Sequence, residues 1–136
     1  MIGVVIVTHC GLGSELISTA EFILGRIPGI IAVTIDAQAS ADIIRAGVEA
    51  GIKKVDQGDG IIILTDMFGG TPSNISLSFL AADQIEVLTG VNLPMIIKLI
   101  QSRERLELGE LAKSVGEYGR KSINVASEVL KRRHED

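Results

Sequence analysis

The sequence predicts a doubly wound α/β fold, a mainly parallel sheet with helices on both faces. Three observations carry this. The stretches Ile2–Thr8 and Gly60–Thr65 are almost continuous apolar runs rich in Val and Ile, the pattern of strands buried on both faces. Apolar runs alternate with amphipathic segments as β-then-α units along the chain, which implies parallel neighbours joined by right-handed crossovers. Both runs then stop at a polar residue, His9 and Asp66, followed by a glycine-containing turn and a helix start. In open α/β sheets that edge is where ligands bind.

The elements follow in order. Ser14 to Leu24 places Leu16, Ile17, Ala20, Ile23 and Leu24 at helical spacing, and Gly25 with Pro28-Gly29 ends the helix. Ile30 to Ile35 reads as the second strand. Ser40 is an N-cap for a helix to about Val55, with Asp42 in its first turn and Lys53-Lys54 in its last, the charge order a helix dipole favours. After the third strand, Thr71 is expected as an N-cap with Pro72 at the first helical position, opening a helix to about Ala82. Ile85 to Thr89 is a fourth strand, Pro94 to Arg103 a helix, and Glu107 to Tyr118 another. Residues 119–136 fit two patterns: Ile123 and Val125 alternate as in a strand, while Val125, Val129 and Leu130 suit a helix. Strand order 2-1-3-4 would set His9 and Asp66 side by side.

The 136 residues are expected to form one domain, 1–136, with 46% hydrophobic and 22% charged residues. Net charge is −4, and residues 1–100 carry ten acids against five bases. With no Trp and few aromatics, that balance argues against nucleic acid and fits a partner with a basic surface. One cysteine excludes an internal disulfide and a cysteine-rich metal cage. Neither a signal peptide nor a bilayer-spanning run is visible, so the expected location is the cytoplasm.

His9 and Asp66 together suit a phosphoryl carrier. An imidazole, of reference pKa about 6.5, is a nucleophile that is largely neutral near pH 7. A carboxylate on its second nitrogen orients the ring and favours the charged phosphoimidazole. Gly11, Gly13, Gly69 and Gly70, with helix starts at Ser14 and Thr71, offer backbone donors to phosphate oxygens. Taken singly, each has a commoner structural use: a hydrogen-bonded histidine, a turn-forming aspartate. Metal is not expected, since Cys10 points away from His9 in extended backbone and no second ligand pair is near. Gly11-Leu12-Gly13 and Asp36 mimic a dinucleotide fingerprint, but its third glycine is missing. Leu12, Met67 and Phe68 read as an exposed docking patch beside the site.

Val7-Thr8-His9, Asp66-Met67-Phe68-Gly69-Gly70-Thr71-Pro72-Ser73-Asn74 and Gly90-Val91-Asn92-Leu93-Pro94-Met95 together resemble the mannose-type IIA component of the bacterial sugar phosphotransferase system. The resemblance spans essentially the whole chain. It implies that His9 accepts phosphate on Nε2 from the carrier protein HPr and passes it to a separate IIB component. Asp66 would hold Nδ1, and Thr71 with nearby amides would bind phosphate. It implies no cofactor, and contact with the membrane only through the permease components. It further implies a homodimer that exchanges a C-terminal antiparallel strand, Lys121 to Ala126. The chain departs from the family pattern at Cys10, where glycine is usual.

Two other readings use the same residues. One is a regulatory module whose His9 phosphorylation signals sugar supply without feeding a permease; absence of neighbouring permease genes would favour it. The other is a flavodoxin-like nucleotide-binding domain, for which titration with nucleotides and flavins is the test.

Overall fold

The computed structural model describes residues 1–67 and 69–135. The chain runs β1 (Gly3–His9), α1 (Leu12–Leu24), β2 (Ile30–Ile35), α2 (Ala41–Val55), β3 (Ile61–Thr65), α3 (Thr71–Leu77), β4 (Ile85–Leu88), α4 (Leu93–Ser102), α5 (Leu108–Lys121) and α6 (Ala126–Glu135). The strands form one sheet in the expected order β2-β1-β3-β4. All neighbouring strands are parallel, with Val7 opposite Thr65 and His9 opposite Ile35.

Successive residues of β1 serve opposite cores, as the period of a strand requires. Val4 and Ile6 pack with Ile62 and Leu64 against α1, α4 and α5, through Ala20, Ile96, Leu99 and Leu111. Val5 and Val7 pack with Ile61 and Ile63 against α2 and α3, through Ile44, Val48 and Ile75. Each fully buried Val, Leu or Ile contributes about 1.5–3 kcal/mol relative to exposure. The central strands therefore hold the carboxyl edge of the sheet rigidly, and His9, just beyond the buried run, is carried on it.

At the opposite edge a buried cation ties the sheet down. Arg103, at the end of α4, is buried, and its guanidinium donates to the carbonyls of Ile2 (3.3 Å), Pro28 (2.6 Å) and Gly29 (3.5 Å). Burial lowers its pKa, opposed by the nearby Glu104 carboxylate.

Several boundaries differ from expectation. α1 starts at Leu12 instead of Ser14, because Cys10, at φ 52°, turns the chain out of β1 within two residues. The N-cap of α3 is Gly70 rather than Thr71. α3 stops at Leu77 instead of Ala82: Ser78, Phe79 and Leu80 donate to carbonyls three residues back, tightening the chain into turns. α5 runs to Lys121, past Tyr118.

The C-terminal strand expected at Lys121–Ala126 is not formed among the described residues; α6 follows instead. A strand needs a neighbour for its backbone groups, and among the described residues no strand pairs with this segment. Ile123 and Val125 are left 78% and 57% exposed, and Val125 C=O starts α6 by accepting from Glu128 and Val129.

Candidate phosphoryl-carrier site

The strand order brings the ends of β1 and β3 together, and the first residues past the buried core meet there. Oδ2 of Asp66 accepts the His9 backbone N–H (2.9 Å) and lies 2.8 Å from His9 Nδ1. Oδ1 accepts the Met67 N–H at 3.0 Å. A carboxylate can only accept, so Nδ1 carries the ring proton in this pair. In the neutral imidazole Nε2 then holds the lone pair. The two side chains differ in access: His9 is 48% exposed and Asp66 12%.

Burial by itself raises the Asp66 pKa. The bonds from the His9 amide and ring, the charge on that ring and the Met67 amide outweigh it, so the carboxyl titrates below its ordinary value. Asp66 is thus held as an anion beneath an accessible imidazole. That pairing stabilises positive charge on the ring, the charge an imidazole gains when Nε2 forms a bond to phosphorus.

The second wall is the turn between β3 and α3. Gly70 passes so close to the ring that a Cβ on it would stand 3.3 Å from His9 Cε1. Gly69 adopts φ 87°, a conformation that favours glycine. Thr71 follows, exposed in the first turn of α3, whose backbone ladder begins with Asn74 N–H on Gly70 C=O (2.9 Å).

The turn between β1 and α1 is built differently. Its ladder begins with Glu15 N–H on Gly11 C=O at 3.1 Å, so earlier amides of α1 have no partner within the helix. Gly11 has open space where a Cβ would stand. Gly13 does not belong with the expected phosphate-facing glycines. It is buried, and its N–H donates to Thr8 Oγ1 at 2.8 Å. A Cβ on it would stand 3.3 Å from both Ile6 Cγ2 and Thr8 Oγ1, so glycine there serves close packing of α1 on β1.

Of the expected docking residues, Leu12 and Met67 are 46% and 56% exposed, while Phe68 lies outside the described residues. Thr8, to which the sequence assigns no role beyond its place in the Val7-Thr8-His9 motif, is fully buried. Its sequence signal for a structural role is a hydroxyl residue at the end of an apolar strand, five positions before a glycine. Among the described residues, no three His, Cys, Asp or Glu side chains converge as metal ligands. No helix there is long and apolar enough to cross a membrane.

The family model for the mannose-type EIIA family, described as the phosphotransferase-system fructose IIA component, matches residues 3–116. The chain belongs to that family. It is 30% identical over 133 residues to the fructose-specific EIIA component of Bacillus subtilis (strain 168), covering 97% of this chain and 91% of that one. Identity to the mannose-specific EIIAB component of Escherichia coli (strain K12) is 29% over 127 residues, covering 90% of this chain but only 39% of that longer protein. Among solved structures, phosphotransferase system component EIIA from Streptococcus agalactiae superposes with a TM-score of 0.86 at 26% identity, over 94% of this chain and 99% of that one. This EIIA chain is therefore a component of the phosphotransferase system, of the mannose/fructose family.

Proposed function

We propose that this EIIA chain, acting as one domain over residues 1–136, is a phosphoryl carrier in which His9 is the transient acceptor. The observation that carries the reading is the 2.8 Å contact between His9 Nδ1 and Asp66 Oδ2, which leaves the lone pair on Nε2 of a half-exposed ring. That lone pair attacks the phosphorus of the phosphohistidine on HPr. The new N–P bond forms as the donor's N–P bond breaks, and the donor imidazole leaves with the bonding electron pair. His9 becomes a phosphorylated, positively charged ring that keeps its Nδ1 proton and faces the Asp66 carboxylate. Onward transfer to a IIB nucleophile returns the electron pair to Nε2.

Thr71 and the amides near Gly11, Gly69 and Gly70 hold the phosphate oxygens, and no cofactor takes part. Leu12 and Met67 border the site and meet the two protein partners in turn. The names of the B. subtilis and E. coli relatives, both sugar-specific components, support a role in sugar uptake, and we place that role in the cytoplasm. We further propose a homodimer in which residues 121–126 of one protomer pair with the partner. The support is β4, an edge strand bridged on its outer side to Ala81 at Ile85, together with the exposed Ile123 and Val125.

The test is incubation with phosphoenolpyruvate, enzyme I and HPr. Wild type gains one acid-labile phosphate on His9, His9→Ala gains none, and Asp66→Ala is labelled at the same residue about 10- to 100-fold more slowly, the usual penalty for removing a carboxylate that orients a histidine. A wild type that stays unlabelled removes the carrier reading.

A further inference from the structure

We propose that Thr8 is a positioning residue for the phosphorylated state, capping α1 from inside the sheet so that the outer face of its first turn stays open to phosphate. The assignment rests on the reading of His9 as the phosphate acceptor.

A helix N-terminus usually receives its cap from the N-cap residue itself, whose side-chain oxygen accepts an amide two or three positions on. α2 and α4 follow this rule. Ser40 Oγ accepts from Ile43 N–H at 3.2 Å, and Asn92 Oδ1 accepts from Met95 N–H at 3.0 Å. Both cap residues are extended, at ψ 161° and 165°. α1 lacks such a bond, as α3 and α5 do, and unlike the N-caps of those four helices its own is not extended. Its N-cap is Gly11, which has no side chain, at ψ 11°.

The missing acceptor comes from β1. Thr8, fully buried, takes the Gly13 N–H on its Oγ1 at 2.8 Å, and so satisfies a buried early amide of α1. An oxygen supplied at position 11 would have occupied the place where an anion meets the helix end. Supplied from Thr8, it satisfies the buried amide, and the neighbouring amides of Leu12 and Ser14 have no partner among the described residues. The same bond spans the tight turn through Cys10, which holds φ 52°, and thereby fixes the chain that leads from His9 into α1. Thr8 touches no reacting atom. It acts through the turn.

The experiment compares wild type, Thr8→Val, Thr8→Ser and the control Thr65→Val. Thr65 is buried in the neighbouring strand, and its hydroxyl has no hydrogen-bond partner among the described residues. Each protein is phosphorylated both with phosphoramidate, which needs no protein donor, and with phospho-HPr. The readouts are the lifetime of phospho-His9 and the shift of the Leu12 and Ser14 amide resonances on phosphorylation. Thr8→Val is expected to shorten the lifetime about fivefold, the scale of one helix-terminus interaction with an anion, and to shrink both amide shifts. Thr8→Ser restores both, and Thr65→Val matches wild type. If Thr8→Val fails to fold, Thr8→Ala removes the same acceptor with less bulk and is read in the same way. A folded Thr8→Val with wild-type lifetime and shifts overturns the assignment, as does an equal loss in Thr65→Val. Wild type that accepts phosphate from phosphoramidate but not from phospho-HPr overturns the carrier reading alone, and the lifetimes still decide the role of Thr8. Wild type that takes phosphate from neither overturns both.

Discussion

One oxygen of Asp66 holds His9 at two points, its main-chain N–H at 2.9 Å and its ring Nδ1 at 2.8 Å. The first bond fixes where the residue sits and the second fixes how the ring turns. Residues 57 positions apart are thereby joined into a single unit.

This double grip has a pH signature. Because the folded Asp66 pKa lies below the ordinary value of 3.8, the unfolded chain takes up a proton at that carboxyl before the folded one does. The stabilisation is therefore fully present above the unfolded pKa and is lost as pH falls through the folded value. In urea titrations repeated from neutral pH to below about pH 4, wild type should lose more stability than Asp66→Asn. Parallel curves would show that the carboxylate adds nothing to folding.

Gly70 should be a kinetic rather than a structural position. Its φ of −84° suits any residue, so Gly70→Ala carries no backbone strain. The added methyl would press on His9 Cε1 at 3.3 Å. We expect a melting temperature close to wild type and a phosphorylation rate lowered about tenfold, the order of effect that a small misplacement of a reacting group produces. Rapid-quench labelling measures it.

Gly3 should behave in the opposite way. A Cβ there would fall on the carbonyl oxygen of Val55 and against Val55 and Ile61 side chains, in backbone and core that cannot swing aside. Gly3→Ala should lower stability by about 1–3 kcal/mol, as overpacking does, read from the urea midpoint. The folded fraction should accept phosphate normally, because the substitution lies at the far end of β1.

The proposed dimer makes a prediction about size. Ile123→Asp with Val125→Asp removes the apolar pair that residues 121–126 would bury against a partner. Light scattering during size exclusion should show wild type at twice the chain mass and the double variant at one. A wild type that elutes as a monomer at all concentrations rules the exchange out.

Local chemistry explains which parts of this structure could be read in advance. The runs of β1 and β3 are buried on both faces and so carry no polar interruption until His9 and Asp66. That made the strands, their order and the facing pair legible. Ser40 was legible as a cap because its side chain meets an amide only three residues on. Gly13 was misassigned for the converse reason. Its amide is claimed by Thr8, a contact between a strand and a helix that a glycine's identity does not announce. The C-terminal segment depends on what lies beside it: alternating Ile123 and Val125 describe a strand when a neighbouring edge is present, and a lone chain gives α6 after them.

Arg103 gives the fold a timetable. Its three acceptors, on Ile2, Pro28 and Gly29, precede it by 101, 75 and 74 positions respectively. A chain made from its amino end has β1 and β2 long before the guanidinium that anchors their starts. Until residue 103 emerges, the nascent sheet holds its His9-bearing edge without its fastening, and completion of α4 is the event that locks the opposite end.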